Sequence, residues 1–321
     1  MKIAWVKKVA SDGMHNAFTG LAYLDGKYYL AYRKAAGHVA DSARQIIMVS
    51  DNGKKWTTMS DSCFSRNIDY RDSYFLDLND KLFLYSFGTP VLKGVRQKPM
   101  VFLQTLNSGE NKWSDPQVIH RDSVIWKPIK LNDKFYGAAY FANDGLKSFL
   151  YSSDDGIHWK KGSLITKCSS EICFYAPEND RIIAFVRTES PPYYLEVFQS
   201  KAPFESWLKI NTIPMIIQGA HVFGINGKIY LMGRERPDYL ESENREKPSL
   251  SQHRTKVWRF EDNDLKEIIE LPSSGDCSYP GTAVMPDRSL LASYYSQHET
   301  IFNHIWQDKA AADVFVAKMD L

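Results

Sequence analysis

The chain has 321 residues, 44% of them hydrophobic and 24% charged, with a formal net charge of +2. That is ordinary globular composition, long enough for two modest domains or one large all-β domain. The cations are spread rather than clustered, which argues against nucleic acid and membrane surfaces as partners, and no stretch approaches the ~20 apolar residues of a membrane span.

The opening MKIAWVKKVASDG is too short in its apolar part for a signal peptide and lacks a small-residue cleavage site, so a cytoplasmic location is expected. KIAWVKKV reads as a strand without a hairpin partner nearby. From there one pattern recurs: an apolar strand, a short polar turn, a second apolar strand. The copies are FTGLAYLDGKYYLAYR, SYFLDLNDKLFLYSF, WKPIKLNDKFYGAAYF, EICFYAPENDRIIAFVR, AHVFGINGKIYLMGR and PGTAVMPDRSLLASYY. Asp-Gly and Asn-Gly favour tight hairpins because they accept positive φ. An aromatic share of 13%, with 18 Tyr and 8 Trp, suits strands, since flat rings pack well on a pleated surface. No segment between the copies sustains a helical period.

Six copies spaced by roughly 45–60 residues are the signature of a propeller. The predicted fold is therefore all-β: a single-domain six-bladed β-propeller of four-stranded antiparallel blades. KIAWVKKV is expected to close the ring as the outer strand of the last blade. The polar stretch Pro237–Ser251 is expected to be an inserted loop. Two turns, Asp51-Asn52-Gly53-Lys54-Lys55-Trp56 and Asp154-Asp155-Gly156-Ile157-His158-Trp159, share the spacing D-x-G-x-x-W. Their Asp is expected to accept backbone N–H bonds, with Gly supplying the left-handed residue and Trp packing between sheets; these acids are structural. Cys63, Cys168, Cys173 and Cys277 form no CxxC or zinc spacing and are expected to be buried reduced thiols, with a Cys168–Cys173 disulfide as the alternative.

In an antiparallel hairpin the first residue of strand one lies beside the last residue of strand two, opposite the turn. Propeller hairpins point the same way, so their open ends share one rim. That rim collects His15, Asn16, Asp69, Arg71, Asp72, Trp126, Lys127, Glu171, Gly219, His221, Asp276 and Tyr279 from the first strands. The second strands add Arg33 with His38, then Tyr140, Arg187, Arg234 and Tyr295 with His298 and Glu299. The turn ends carry ordinary surface residues such as Lys27, Lys81, Lys134 and Lys228. Several arginines and carboxylates near a narrow axis are costly unless they pair or bind a ligand, which points to a functional pocket. No dedicated metal motif stands out and no cofactor is implied, although Asp69, Asp72 and Glu171 leave room for a cation.

At these residues the chain resembles the sialidase (neuraminidase) superfamily of six-bladed propellers. The two D-x-G-x-x-W turns are similar to the Asp-boxes (BNR repeats) of that family, and SSEICFYAPENDRIIAFVR to its glutamate strand. The resemblance implies Glu171 as the carboxylate that activates a tyrosine nucleophile and Arg187 as one arginine of a substrate-carboxylate clamp. CSYPG stands where the family's nucleophilic tyrosine falls, implying Tyr279; Glu299 falls where an acid braces an arginine. The family's early Arg-Ile-Pro is here His15-Asn16-Ala17, and its acid/base aspartate has His38 and then Asp41 nearest to it. HNAF, YRKAAGH, RDS and SYPG…SYYSQHE are similar to signatures of divergent bacterial exo-alpha-sialidase-like proteins.

Three functions fit. The first is a glycosidase on the non-reducing end of an acidic glycan, with Arg33, Arg187 and Arg234 on the carboxylate, Tyr279 and Glu171 as nucleophile and base, and Asp72 or His38 as proton donor. His15, Arg71, Lys127, His221, Tyr295, His298 and Glu299 would complete the binding site. The second is a uronate lyase using His and Tyr as base and acid, with Arg or a metal neutralising the carboxylate. The third is a non-catalytic glycan-binding propeller stacking sugars on Trp126, Tyr140 and Tyr295.

Overall fold

A computed structural model describes residues 1–63, 67–140, 146–237, 253–302 and 307–320. The described residues form six antiparallel sheets, and all six hairpins foreseen in the sequence are their two inner strands. The innermost strands are His15–Leu24, Ile68–Asp77, Val124–Leu131, Ser169–Glu178, Ile217–Ile225 and Cys277–Val284. Each packs against the next, and the last against the first, so the sheets are wound radially as a propeller. The expected inserted loop lies, but for Pro237, outside the described residues.

Ring closure follows the expectation. Lys2–Ala10 pairs with Asp313–Asp320 as the outermost strand of blade six. A second clasp lies at the axis, where the Asn16 amide donates to Ala312 O at 2.9 Å. Blade two departs from four strands. Its second strand runs on to Leu92, turns at Lys93-Gly94 and returns as Val95–Arg96. Both turn residues have positive φ, which matches the twist of a two-residue hairpin.

The inner strands approach closely because small residues face one another. A Cβ on Gly281 would stand 2.2 Å from the Leu21 amide nitrogen, and one on Gly20 would stand 2.5 Å from the Ser73 carbonyl. These obstacles are backbone and cannot swing aside. Gly281→Ala is therefore expected to destabilise the fold by about 1–3 kcal/mol, read as a lowered urea midpoint with an unchanged m-value.

The two matching turns join the third and fourth strands of blades one and three. Their chemistry differs from expectation by one residue. The acceptors of the turn amides are Asn52 (from Lys54 and Lys55 N–H, 2.8 and 3.0 Å) and Asp155 (from Ile157 and His158 N–H, both 2.8 Å). Asp51 and Asp154 do not play this part. Ser50 and Ser153 accept from the glycine amides at 2.9 Å, and Trp56 and Trp159 donate back to the same glycines' carbonyls. Asn replaces Asp without loss because only a carbonyl-type oxygen is required. None of the four cysteines is disulfide-bonded: Cys173 and Cys277 are buried as expected, whereas Cys63 and Cys168 are exposed, and no 168–173 disulfide forms.

Candidate active site

Every innermost strand carries a bulge at the same register. It falls between Ala17 and Gly20, Arg71 and Tyr74, Trp126 and Ile129, Ser170 and Ile172, Gln218 and His221, and Ser278 and Gly281. The residues just inside it are Phe18, Asp72, Lys127, Glu171, Gly219 and Tyr279, and all six have positive φ, from 27° to 59°. A bulge re-aims a side chain, and left-handed backbone is uncommon for residues other than glycine. Six equivalent departures on the innermost strands of a propeller make a ring of side chains around the axis. Strain repeated at one level of a fold points to function there.

Four of the predicted residues meet in one cluster. The Tyr279 hydroxyl donates to Glu171 Oε1 at 2.7 Å, and Arg187 Nη1 reaches the same oxygen at 2.7 Å. Glu171 Oε2 accepts the Gly219 amide at 2.8 Å. Gly219 is required here: a Cβ would stand 2.4–2.6 Å from the Tyr279 ring, at a φ of +59°. The Arg234 guanidinium lies 5.4 Å from that ring's centre. Burial opposes ionisation of Glu171, but Arg187, the Gly219 amide and the Tyr279 hydroxyl together hold its carboxyl below the usual range. Burial and the Glu171 charge push the Tyr279 phenol well above 10, so it stays neutral, with its proton aimed at Glu171.

Asp72 is the complementary group. Burial, then the Glu171 charge, pushes its carboxyl up to about 8, against the pull of Arg71, Lys127 and Arg33. Its Oδ1 is buried without a hydrogen-bond partner. It therefore holds a proton at neutral pH. Lys127 is buried with its Nζ donating to the Ala220 carbonyl at 2.8 Å and the Pro280 carbonyl at 3.3 Å. Burial first, and then the charges of Glu171 and Asp72, raise the Tyr140 phenol well above its ordinary value, which places it beside the ionisable cluster.

Two buried carboxylates organise the rest. Asp276 accepts from His15 Nε2 at 2.9 Å, His38 Nδ1 at 2.5 Å, Arg234 Nη1 at 2.7 Å and the Tyr295 hydroxyl at 2.8 Å. His38 and then His15, through electrostatics and their hydrogen bonds, hold its carboxyl well below the usual range despite burial. Asp69 collects Arg33 through Nε and Nη2 (2.8 and 2.7 Å), Arg71 through Nε (3.0 Å), and Arg96. Arg33 is 1% exposed and spent on Asp69 and the Gly37 carbonyl. It therefore braces the site and does not clamp a ligand directly, as the sequence suggested it would. His15, also fully buried, accepts from Arg33 at Nδ1 (3.4 Å) and donates from Nε2, which fixes its tautomer. His221 is buried against the Thr282 hydroxyl (2.9 Å), with burial and Lys127 pushing its imidazole well down.

His298 and Glu299 are not brought to the cluster. His298 packs its ring on Phe315 and bonds Ser296 Oγ. Glu299 is exposed and pairs with Lys8 on the outermost strand of blade six. The chain leaves the innermost pair after Ser296, so both residues fall outside the axis. Sequence reasoning missed Phe18 and Arg96. Phe18 packs edge-on against Tyr279 and Tyr295 (5.0 and 5.5 Å) and beneath Arg33 and Arg71 (5.6 and 5.3 Å). Superposing the six repeats on their register would have placed it with Asp72, Glu171 and Tyr279.

Among the described residues, His15, His38 and Asp276 offer three donor atoms within 4.8 Å of one another. The neighbouring guanidiniums of Arg33 and Arg234 put positive charge on both sides of that group. A hydrogen-bonded hub fits these surroundings better than a cation site. Taken together, the cluster can keep an acid protonated, ionise a base beside a neutral phenol, and present cations to an anion.

No family model matches the chain, and no curated protein matches it. Solved structures do. A Dyadobacter fermentans protein of unknown function is 17% identical, with a TM-score of 0.70 over 99% of this chain and 100% of its own. A Trypanosoma rangeli sialidase solved in complex with sialic acid is 12% identical, with a TM-score of 0.72 over 99% of this chain but 57% of its own length. The phage phi92 endosialidase is 12% identical, with a TM-score of 0.67, covering 100% of this chain and 69% of its own. At these identities the likeness shows the fold alone: a six-bladed propeller of the kind sialidases have.

Proposed function

We propose that the chain is a sialidase-like glycosidase acting on an anionic glycan. The observation that carries this is the Tyr279 hydroxyl bonded to an ionised, Arg187-held Glu171 at 2.7 Å, in the same ring as a protonated Asp72. Tyr279 attacks the anomeric carbon as Glu171 takes its proton. Asp72 protonates the departing oxygen, and its orphaned Oδ1 is the group that lacks a partner until substrate arrives. A neutral phenol avoids repulsion by an anionic sugar, and a tyrosine nucleophile is a known exception to the two-carboxylate scheme. Arg187, beside Tyr279 and 21% exposed in its side chain, takes the anionic group of the transferred sugar, and Arg234, buried on Asp276 and Gln218, adds its positive charge from behind. The carbohydrate partner is supported by the T. rangeli sialidase structure that contains sialic acid.

A uronate lyase is the second reading, favoured by the half-buried His38, tied to Asp276 beside Phe18. A panel of sialosides and uronides separates the two. Hydrolysis gives reducing ends without ultraviolet absorbance, whereas elimination gives an unsaturated, absorbing product. Glu171→Gln is expected to lower kcat by about 10²–10⁴-fold on the substrate found, because the amide cannot accept the phenol's proton. Unsaturated products, or full turnover by Glu171→Gln, would overturn the glycosidase.

A further inference from the structure

We infer that the blade one–blade two side of the pocket, formed by Arg71 and Arg96 around Asp69, is a second anion subsite that binds an acidic sugar on the leaving-group side. The enzyme would then act within or at the end of a polyanionic chain and not on a neutral conjugate. This deepens the proposed function and rests on Asp72 being the proton donor.

The charges do not balance at this place. Arg33, Arg71 and Arg96 all converge on the single buried carboxylate of Asp69. Burial lowers the Arg96 guanidinium, and Arg71 beside it lowers it further; the charge and hydrogen bond of Asp69, and then Asp41, offset only part of this. Gathering like charges costs energy unless an anion joins them. Exposure shows where the anion would come from. Arg33 is sealed in, but Arg71 is half-buried and the Arg96 side chain is 39% exposed. Arg96 is presented by the extra hairpin of blade two, whose tip carries Lys93 and exposed Leu92 and Val95. Guanidinium groups in such an arrangement suit carboxylate or sulfate.

The side follows from which groups stand together. Arg71 stands close enough to Asp72, whose proton goes to the departing oxygen, for its charge to act on that carboxyl. Nucleophile and acid stand on opposite sides of the bond that breaks. Arg187 and Arg234 accompany the nucleophile, and Arg71 and Arg96 accompany the acid. An anion held by the second pair therefore belongs to the group that leaves.

Binding tests this without turnover. Tetragalacturonate, a heparin tetrasaccharide and maltotetraose are titrated calorimetrically into the protein and into Arg96→Ala and Arg96→Gln, with thermal melts to check folding. At least one anionic probe is expected to bind with a Kd below about 1 mM and maltotetraose not to bind. Both variants should weaken the anionic probe by about tenfold or more and reduce the salt dependence of its affinity. Unchanged affinity in both folded variants, or no anionic probe binding below about 10 mM, overturns the subsite. Loss of turnover in Glu171→Gln leaves this outcome untouched, so the failure of either proposal is seen separately.

Discussion

Tyr279→Phe is expected to fold as the parent does and to lose turnover by about 10³-fold or more, with KM changed little. The phenol oxygen is the proposed attacking atom, and its loss cannot be made up by a neighbour: Tyr295 and Tyr140 have their own places, the first donating to Asp276 at 2.8 Å. Removing a nucleophile costs rate on this scale because the remaining groups only bind and polarise. The ring itself stays packed between Phe18 and Trp126. Glu171 keeps Arg187 and the Gly219 amide as partners. The folding cost is thus one hydrogen bond, on the order of 1 kcal/mol. Steady-state kinetics with a melt on the same sample checks both halves. Retained kcat would remove Tyr279 from the chemistry; a collapsed melt would make it a core residue.

How much of this was legible follows from which interactions are local. Hairpins were readable because Asp25-Gly26, Asn226-Gly227 and their counterparts state the turn, and the two strands beside them share one hydrophobic pattern. The rim was readable for the same reason, since antiparallel pairing fixes which residues share an open end. What the sequence hid was the bulge. Nothing in DYRDSY or SSEIC announces that Asp72 and Glu171 turn out of register with positive φ; that comes from crowding of innermost strands around an axis, a tertiary effect. Nor could it say that Arg33 is sealed onto Asp69 while Arg187 remains accessible, because both end strands in the same way. Arg96 was invisible because its role needs a two-residue strand to fold back over the rim. His298 and Glu299 were misplaced by adjacency: they follow Tyr295 in the chain, but the strand has already left the axis.

Asp72→Asn is expected to separate catalysis from stability in opposite directions. A carboxyl pushed up to about 8 keeps its proton at neutral pH, so kcat/KM should fall as pH rises through about 8, where the acid ionises. The acidic limb should lie below the ordinary carboxylate value, because Glu171 must lose its proton and is held low. Asn cannot donate an acidic proton. The variant should lose about 10²–10⁴-fold on substrates with a sugar leaving group, yet remain active on an aryl glycoside whose phenolate leaves unaided. The sign for folding is the reverse. A carboxyl whose folded value is raised binds a proton that the unfolded chain releases above about 4, so it lowers stability progressively as pH climbs from about 4 to about 8. Asn carries no such penalty. At pH 7 the variant should be more stable by up to about 4 kcal/mol, and near pH 3–4 the advantage should vanish. Melts at the two pH values decide it. If Asp72→Asn is the less stable protein at pH 7, Asp72 is an ion paired with Arg71 or Lys127, and the pocket has no proton to give the leaving group.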